Sequence, residues 1–299
     1  MEQSLISFLQ QQQIVYFENE SLAKHTSFKI GGPAKLFCVP KDEAQLSALI
    51  RECVAKKIRY YFLGKGSNIL FADAGFDGMV IHLGDAFSKI TVAQTSLTAS
   101  AGASLALVCN AALRAGLAGL AFAFGIPGCV GGAVYMNAGA YGGEIKDVLE
   151  SVTILDETGT KRTMQASELC FGYRSSILAH QKYCLLSATF RLQPEDPAKI
   201  KAEMDGYMRR RAEKQPLDIP SAGSTFKRPE GAYAGALIEQ CGLRGFAVGG
   251  AAISTKHCGF VVNTGNATCA DVLQLTDIVC QKVTEKTGYC LEKEIRVVE

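Results

Sequence analysis

The sequence lacks long apolar runs, paired cysteines and an excess of charge of either sign. No stretch approaches the roughly 18 to 20 uninterrupted apolar residues that a membrane helix needs. The eleven cysteines stand singly with no C-x-x-C pair, and no secretory leader begins the sequence, so we expect a cytoplasmic protein with reduced thiols and no metal site. The 31 basic and 29 acidic residues leave a formal charge of +2, which gives no electrostatic reason to expect binding to nucleic acid or to a membrane surface.

Two common nucleotide-binding motifs are also missing. The chain contains no G-x-x-x-x-G-K-[ST] P-loop, and the segment from Gly64 to Ile69 lacks the third glycine of the dinucleotide-binding motif G-x-G-x-x-G. An ordinary Rossmann domain is therefore disfavoured. The length of 299 residues and the apolar content of 48% are nevertheless sufficient for two or three globular domains.

Glycine is concentrated in two segments. Residues 125–142 contain six glycines beside apolar partners, and residues 64–70 follow an apolar run that we predict to be a strand. Glycine lacks a Cβ, so its amide can approach a ligand closely, and successive amides form a concave site for anionic oxygens. The two segments together predict a large cofactor with a diphosphate, although either one alone is equally compatible with a tight turn at a sheet edge.

The order of apolar patterns indicates an α+β chain with more than one sheet. We predict helices at residues 42–54, 105–114, 198–214 and 268–286, the last beginning with a capping-box-like pair, Thr268 and Asp271. We predict strands at residues 35–39, 59–63, 79–83, 90–93, 97–100, 152–155, 161–164, 183–192 and 291–298. A change to a polar helix predicts a domain boundary near residue 195. The arginines at 209–211 are interpreted as its solvated face, with binding to a nucleotide diphosphate as the alternative.

Six segments occur in a characteristic order along the chain: residues 25–32, 63–70, 126–142, 171–176, 222–229 and 291–296. In order and spacing they resemble the UDP-N-acetylenolpyruvoylglucosamine reductase (MurB) family of flavoenzymes. The resemblance covers nearly the whole chain. It is to the shorter members of the family, which lack a tyrosine-bearing insertion, because Ser224 follows Arg174 closely in the sequence. Two positions differ: Lys65 stands where many relatives have glycine, and Ile177 stands where an aromatic residue is frequent.

The resemblance implies an α+β FAD-binding fold of the vanillyl-alcohol-oxidase (PCMH) type in two subdomains, followed by a smaller α+β substrate-binding domain. The implied boundaries are residues 1–75 with the terminal strand at 289–299, residues 76–194, and residues 195–288 for the substrate domain. The implied contacts to FAD come from the two glycine segments, through Gly64, Lys65, Gly66, Ser67, Asn68, Ile69, Ile126, Pro127, Gly128, Gly131, Gly132, Ala133, Asn137, Gly139, Ala140, Tyr141 and Gly142.

The implied reaction is a cytoplasmic step of peptidoglycan precursor synthesis, the reduction of UDP-N-acetylglucosamine enolpyruvate to UDP-N-acetylmuramate. NADPH passes hydride to N5 of FAD, and hydride then passes to C3 of the enolpyruvyl group. By position in the matching segments, Ser224 resembles the proton donor to C2, and Arg174 and Glu294 resemble the pair that binds and polarises the substrate carboxylate. Tyr173 and Lys227 are implied as substrate-binding residues. The implied partners are these small molecules, without metal, nucleic acid or membrane.

Two other functions compete with this interpretation. Another flavin oxidase or dehydrogenase on the same scaffold would need a base, whereas the segment around Ser224 offers an acid. A non-catalytic nucleotide-binding protein would bind its ligand without flavin turnover. Without the resemblance, each of the three residues has a purely structural interpretation. Ser224 would be a turn serine, Arg174 a cation at the surface, and Glu294 one of the alternating charges on a terminal strand.

Overall fold

The computed structural model describes residues 2–299, which form seven α-helices and eighteen strands. The helices are α1 (Glu2–Gln11), α2 (Glu43–Ala55), α3 (Leu105–Arg114), α4 (Val130–Tyr135), α5 (Pro197–Lys214), α6 (Ala234–Gln240) and α7 (Cys269–Thr287). The strands are β1 (Val15–Ser21), β2 (Pro33–Val39), β3 (Tyr60–Leu63), β4 (Ile69–Phe71), β5 (Phe76–His82), β6 (Ile90–Ala93), β7 (Ser96–Ser100), β8 (Leu117–Ala118), β9 (Gly139–Ala140), β10 (Gly143–Glu144), β11 (Leu149–Leu155), β12 (Lys161–Gln165), β13 (Cys184–Arg191), β14 (Gln193–Pro194), β15 (Ala247–Val248), β16 (Ala251–Ile253), β17 (Val261–Asn263) and β18 (Arg296–Val298).

The chain folds as two compact units, each with its own core. Unit 1 comprises the segment ending at Glu18 together with Leu36–Lys65 and Gly78–Arg210, and unit 2 comprises Asn19–Lys35, Gly66–Asp77 and Arg211–Glu299. The three-part division expected from the sequence, with a boundary near residue 195, partitions the chain differently and stays a prediction.

Unit 1 is built around an antiparallel sheet in the order β12-β11-β13-β7-β6. It also contains most of a second sheet, β1-β2-β5-β3, in which β3 and β5 run parallel. Asp42 begins α2 by accepting the Gln45 amide at 2.8 Å, and Ser104 caps α3 in the same way, which satisfies donors that a helix start leaves unpaired. Leu46, Leu97 and Phe190 are among the fully buried residues of its core.

Unit 2 packs α6 and α7 with the antiparallel sheet β15-β16-β17 and the parallel pair β18-β4. The expected capping box is confirmed, because Thr268 and Asp271 exchange hydrogen bonds at the start of α7. Asp73 adds two further acceptors there, for the amides of Cys269 at 2.7 Å and Ala270 at 3.0 Å. This end of α7 therefore anchors the loop that follows β4.

Two details of the expected secondary structure are wrong. The terminal strand expected at 291–298 is reduced to β18, because residues 291–295 form only one isolated bridge, between Phe226 and Lys293. The long glycine segment, expected to be a loop, contains the short helix α4. Its glycines lower helix propensity, so the local sequence alone does not predict it.

The cysteines behave as small buried hydrophobes, as expected. All eleven are free, and most are buried. Burial raises the pKa of the Cys38, Cys53 and Cys109 thiols to about 12, which keeps them protonated at neutral pH. Within residues 2–299, no cluster of three or more His, Cys, Asp or Glu side chains is arranged to hold a metal ion. No helix in the same range has both the length and the hydropathy to cross a membrane.

Candidate active site

The first glycine segment leaves β3 through a position that is closely packed against another side chain. A Cβ at Gly64 would overlap the sulfur of Cys129, the residue that precedes α4. Lys65, the next residue, is exposed. The close packing of Gly64 therefore places the start of the first glycine segment against the second, within unit 1.

The second glycine segment enters α4 through a network of backbone hydrogen bonds. The Gly131 amide donates to the Ala101 carbonyl at 2.8 Å, and the Gly128 amide donates to the Ile126 carbonyl at 2.9 Å, across Pro127. Ala133 faces the core, whereas Gly132 is exposed. One side of α4 is thus fixed by the protein and the other is open.

Asn137 ties the end of this segment together. It is fully buried at a φ of 45°, and its side chain donates to Glu144 at 2.5 Å and to the Gly172 carbonyl at 3.1 Å. Its Oδ1 accepts the Lys146 amide at 3.0 Å. These bonds lie within the protein, so a contact from Asn137 to FAD stays a prediction, and its observed role is to hold the hairpin of β9 and β10.

Arg174 extends from a tight turn and reaches this hairpin. Gly172 and Ser175 close the turn with two backbone hydrogen bonds, and Arg174 takes a left-handed φ of 54°, a strained conformation for a bulky residue. Its Nη2 donates to the Gly139 carbonyl at 3.0 Å, and its guanidinium lies 5.0 Å from the ring centroid of Tyr173, which is 49% exposed. The cation is therefore held in a defined direction.

In unit 2, Gly66 packs against the first matching segment, residues 25–32. Gly66 has a φ of 58°, and a Cβ there would overlap the His25 carbonyl. The Ser27 amide donates to the Gly66 carbonyl at 3.2 Å, and the Ser27 hydroxyl donates to the Ser221 carbonyl at 2.7 Å. These bonds also bring Ser67 close to the chain at Gly223, where a Cβ would lie 3.9 Å from the Ser67 carbonyl.

Ser224 and Glu294 lie on neighbouring segments of unit 2. The Glu294 amide donates to the Thr225 carbonyl at 2.8 Å, so the residue paired with Glu294 is the one that follows Ser224. Asn68 donates to the Glu294 carbonyl at 3.1 Å, and its own carbonyl accepts the Arg296 amide at 3.0 Å, just before β4 begins at Ile69. The Ser224 hydroxyl donates to the nearby Phe226 carbonyl at 3.3 Å.

Lys227 is engaged in an ion pair beside these residues. Its Nζ lies 2.8 Å from Glu292, and the hydrogen bond and charge of Lys227 lower the pKa of that carboxyl. The Lys227 amide also donates to the Glu292 carbonyl, which continues the pairing next to Thr225. A substrate anion that contacts Lys227 would compete with Glu292.

The structure thus gathers the expected site residues into two groups. In unit 1, Gly64, α4, the β9–β10 hairpin and the Arg174 turn come together; in unit 2, residues 66–69 lie with Ser224 and Glu294. The sequence analysis missed the side chains that surround Tyr141: Tyr207 stacks on its ring, and Arg210 lies 4.9 Å from its centroid. The arginine run was noticed, but nothing local in the sequence indicated an aromatic partner.

The open glycines fit a flat, extended cofactor such as FAD. Among the described residues, nothing lies within 4 Å of a Cβ built at Gly132 or at Gly142. A glycine inside a helix costs about 1 kcal/mol relative to alanine, and neither packing nor a positive φ accounts for it at Gly132. Close approach of a ligand to the exposed face of α4 would account for that glycine, and a contact from Gly132 to FAD stays a prediction.

Comparisons with known proteins match two parts of the chain to family models and most of it to curated relatives. Residues 34–165 match the family model described as FAD binding domain, and residues 215–298 match the model described as UDP-N-acetylenolpyruvoylglucosamine reductase, C-terminal domain. A UDP-N-acetylenolpyruvoylglucosamine reductase of Caldanaerobacter subterraneus is 48% identical over 94% of this chain and 92% of its own length. One from Agathobacter rectalis is 46% identical over 100% and 99%.

The fold agrees with a solved relative as well. The crystal structure of UDP-N-acetylenolpyruvylglucosamine reductase (MurB) from Thermus caldophilus superposes with a TM-score of 0.82 at 35% identity, over 96% of this chain and 99% of that one. The expected α+β fold class with an FAD-binding domain is therefore confirmed. The six motifs, the matched models and the near full-length relatives all lead to one conclusion: the chain belongs to the UDP-N-acetylenolpyruvoylglucosamine reductase family.

Proposed function

We propose that the protein reduces UDP-N-acetylglucosamine enolpyruvate to UDP-N-acetylmuramate with NADPH, as a flavin-dependent dehydrogenase of peptidoglycan precursor synthesis. Family membership over nearly the full length supports the substrate and the cofactors. The proposed roles of Ser224 and Glu294 rest on one observation. In unit 2, the Glu294 amide donates to the carbonyl of Thr225, the residue that follows Ser224. Reduced thiols and small-molecule substrates are in keeping with a cytoplasmic location.

FAD is proposed to be held by the glycine segments. The exposed face of α4 at Gly132, the turn at Gly142, and the amides of Gly66 and Ser67 are the groups that would contact it. Lys65, being exposed, is available to add a positive charge near a diphosphate. When bound, FAD supplies the hydride carrier between NADPH and the enolpyruvyl double bond.

Ser224 is proposed to donate the proton that C2 needs when the double bond is reduced. An alcohol is a weak acid, but the carbanion-like centre formed by hydride addition at C3 is a strong base. The bond from Ser224 Oγ to the Phe226 carbonyl is local and long at 3.3 Å, so the hydroxyl can turn to a substrate at small cost. Its backbone is fixed by the pairing of Thr225 with Glu294.

Arg174 and Glu294 are proposed to bind and polarise the substrate carboxylate, into which negative charge is delocalised during reduction. A guanidinium presents its N–H donors in a planar fork that matches a carboxylate, and the bond from Nη2 to the Gly139 carbonyl fixes the direction of that fork in Arg174. Such preorganised donors stabilise developing charge without reorganising. Tyr173 and Lys227 are proposed to contact the rest of the substrate. Lys227 would leave its ion pair with Glu292 to do so.

The test is an anaerobic titration of the purified FAD-loaded protein, followed by the visible absorbance of the flavin. One equivalent of NADPH should bleach the flavin band, and UDP-N-acetylglucosamine enolpyruvate should restore it. Bleaching without recovery would rule out the cell-wall substrate while keeping a flavin reductase. A protein that binds FAD but is bleached by neither NADPH nor NADH would be a non-catalytic binder instead.

A further inference from the structure

The β9–β10 hairpin of unit 1 has a turn that its sequence does not favour. Tyr141 and Gly142 occupy the two central positions, and both have positive φ angles, 55° and 92°. Turns of this type prefer Asn-Gly or Gly-Gly, because a bulky side chain is strained at positive φ. A strained residue persists where contacts from elsewhere in the fold hold it.

At Tyr141, those contacts come from α5. The Tyr141 ring stacks on Tyr207 with 4.4 Å between the centroids and 3° between the planes. The Tyr141 hydroxyl donates to the Tyr207 carbonyl at 3.1 Å, and Arg210 covers the ring of Tyr141. Since α5 buries few side chains, Ile200 and Met204 among them, this stack is a principal contact between α5 and the hairpin.

The strained turn leads directly to Arg174. Gly139 is two residues before Tyr141, and its carbonyl is the acceptor for Arg174 Nη2 at 3.0 Å. Gly139 is also paired with Glu144 across the hairpin, so the turn and this carbonyl form one small unit of structure. A turn that relaxes from its strained form would therefore displace the group that orients the guanidinium.

We propose that Tyr207 is a positioning residue for the reaction: its ring holds Tyr141 and the turn, and thereby holds the Gly139 carbonyl that orients Arg174. The proposal rests on the proposed function, in which Arg174 binds the substrate carboxylate. Tyr207 acts through the hairpin and touches neither substrate nor cofactor in this role. Binding of the enolpyruvyl substrate should depend on it more strongly than reduction of the flavin by NADPH does, although the turn at Gly142 is also proposed to contact FAD.

The experiment compares Tyr207→Leu, which removes the ring, with Tyr207→Phe, which keeps it. Tyr207→Leu should raise the KM for UDP-N-acetylglucosamine enolpyruvate by about 3- to 10-fold, the range that corresponds to loss of one aromatic pair. Tyr207→Phe should keep the wild-type KM, because the Tyr207 hydroxyl bonds Glu203, and Tyr141 bonds the Tyr207 backbone. Stopped-flow flavin reduction by NADPH, measured on FAD-saturated protein, should be unchanged in Tyr207→Phe and should change by a smaller factor than the KM in Tyr207→Leu.

Two further variants separate positioning from general stability. Met208→Ala, at an exposed neighbour on α5, should leave the KM at the wild-type value. In an Arg174→Lys background, Tyr207→Leu should raise the KM no further, since the group that it positions has changed. If Tyr207→Leu does not fold, Tyr207→His keeps a smaller ring and should give an intermediate KM.

A wild-type KM in Tyr207→Leu would overturn the proposal, as would an equal slowing of both half-reactions with loss of FAD. An additive effect in the Arg174→Lys background would also overturn it, because the two residues would then act independently. If the wild-type protein is reduced by NADPH but never reoxidised by the enolpyruvyl nucleotide, the proposed function itself fails. That result is read from the wild type alone and so cannot be confused with failure at Tyr207.

Discussion

The two units hold their site residues in different ways. In unit 2, Ser224 and Glu294 lie on segments joined by backbone hydrogen bonds, so the main chain sets their spacing. In unit 1, Arg174 leaves a strained turn, and a carbonyl 35 residues away holds its guanidinium. Backbone pairing depends little on side chains, whereas Arg174 depends on every contact that keeps the Gly139 carbonyl in place. Substitutions should therefore act locally in unit 2 and also from a distance in unit 1.

The largest effect is expected in unit 2. Ser224→Ala should lower turnover by about 10²- to 10⁴-fold, because it removes the proton donated to C2. Flavin reduction by NADPH, measured by stopped flow, should stay within about twofold of wild type. Ser221→Ala is the matched control, since the backbone carbonyl of Ser221 accepts the bond from Ser27. A slow first half-reaction in Ser224→Ala would show that Ser224 has another role.

The corresponding substitution in unit 1 should have a smaller and less selective effect. Arg174→Lys keeps the charge but loses the planar fork, so it cannot hold the Gly139 carbonyl and a carboxylate together. We expect kcat/KM for the enolpyruvyl substrate to fall on the order of 10²-fold, with the KM also raised. Arg162→Lys, on the exposed strand β12, is the control. Activity equal to wild type in Arg174→Lys would remove Arg174 from the carboxylate site.

Two glycines of unit 1 test which parts of its loops serve the fold and which serve the cofactor. Gly64→Ala should destabilise the protein by about 1–3 kcal/mol, because the new Cβ meets the Cys129 sulfur. Adding Cys129→Ala should recover most of this loss in a urea titration.

Gly132→Ala should instead stabilise the apoprotein by about 0.5–1 kcal/mol and weaken FAD binding, because its Cβ points into open space. Unchanged FAD affinity in Gly132→Ala would exclude that face of α4 from the cofactor site.

The sequence predicted local features of both units well. The capping pair at Thr268 and Asp271 and the helix at 105–114 depend on residues three or four positions apart, and both were confirmed. The helix α4 was missed because its glycines disfavour a helix, and it forms where tertiary contacts such as the bond from Gly131 to Ala101 hold it.

The sequence names the proposed site residues but not their arrangement, and the roles of those residues stay predictions. Motif order singled out Ser224, Glu294 and Arg174 before any coordinates, yet the bond from Arg174 to Gly139 joins distant parts of the chain that no periodicity relates. The same holds for Tyr207, whose partner Tyr141 lies in another element. The terminal strand was overestimated because residues 291–295 alternate like a strand although they form only one bridge.

The smallest effect is expected at the ion pair between Lys227 and Glu292, which lies beside the backbone pairing of unit 2. Lys227 lowers the pKa of Glu292 in the folded protein, so this ion pair stabilises the fold at neutral pH and ceases to do so as pH falls through that lowered pKa. Glu292→Gln should therefore be slightly less stable than wild type at neutral pH, and the two unfolding curves should converge below the ordinary glutamate range. Glu230→Gln, at another exposed glutamate of unit 2, is the control.

The same variant tests whether Lys227 meets the substrate. In Glu292→Gln, a substrate anion no longer has to displace a carboxylate from Lys227. The KM for the enolpyruvyl nucleotide should therefore fall, by less than about fivefold. The rate constant for turnover should not change, because the backbone pairing that fixes Ser224 and Glu294 does not involve the Glu292 side chain. A change in the turnover rate without a change in KM would contradict this expectation. It would mean that the side chains of Lys227 and Glu292, and not the main chain alone, set the spacing of Ser224 and Glu294.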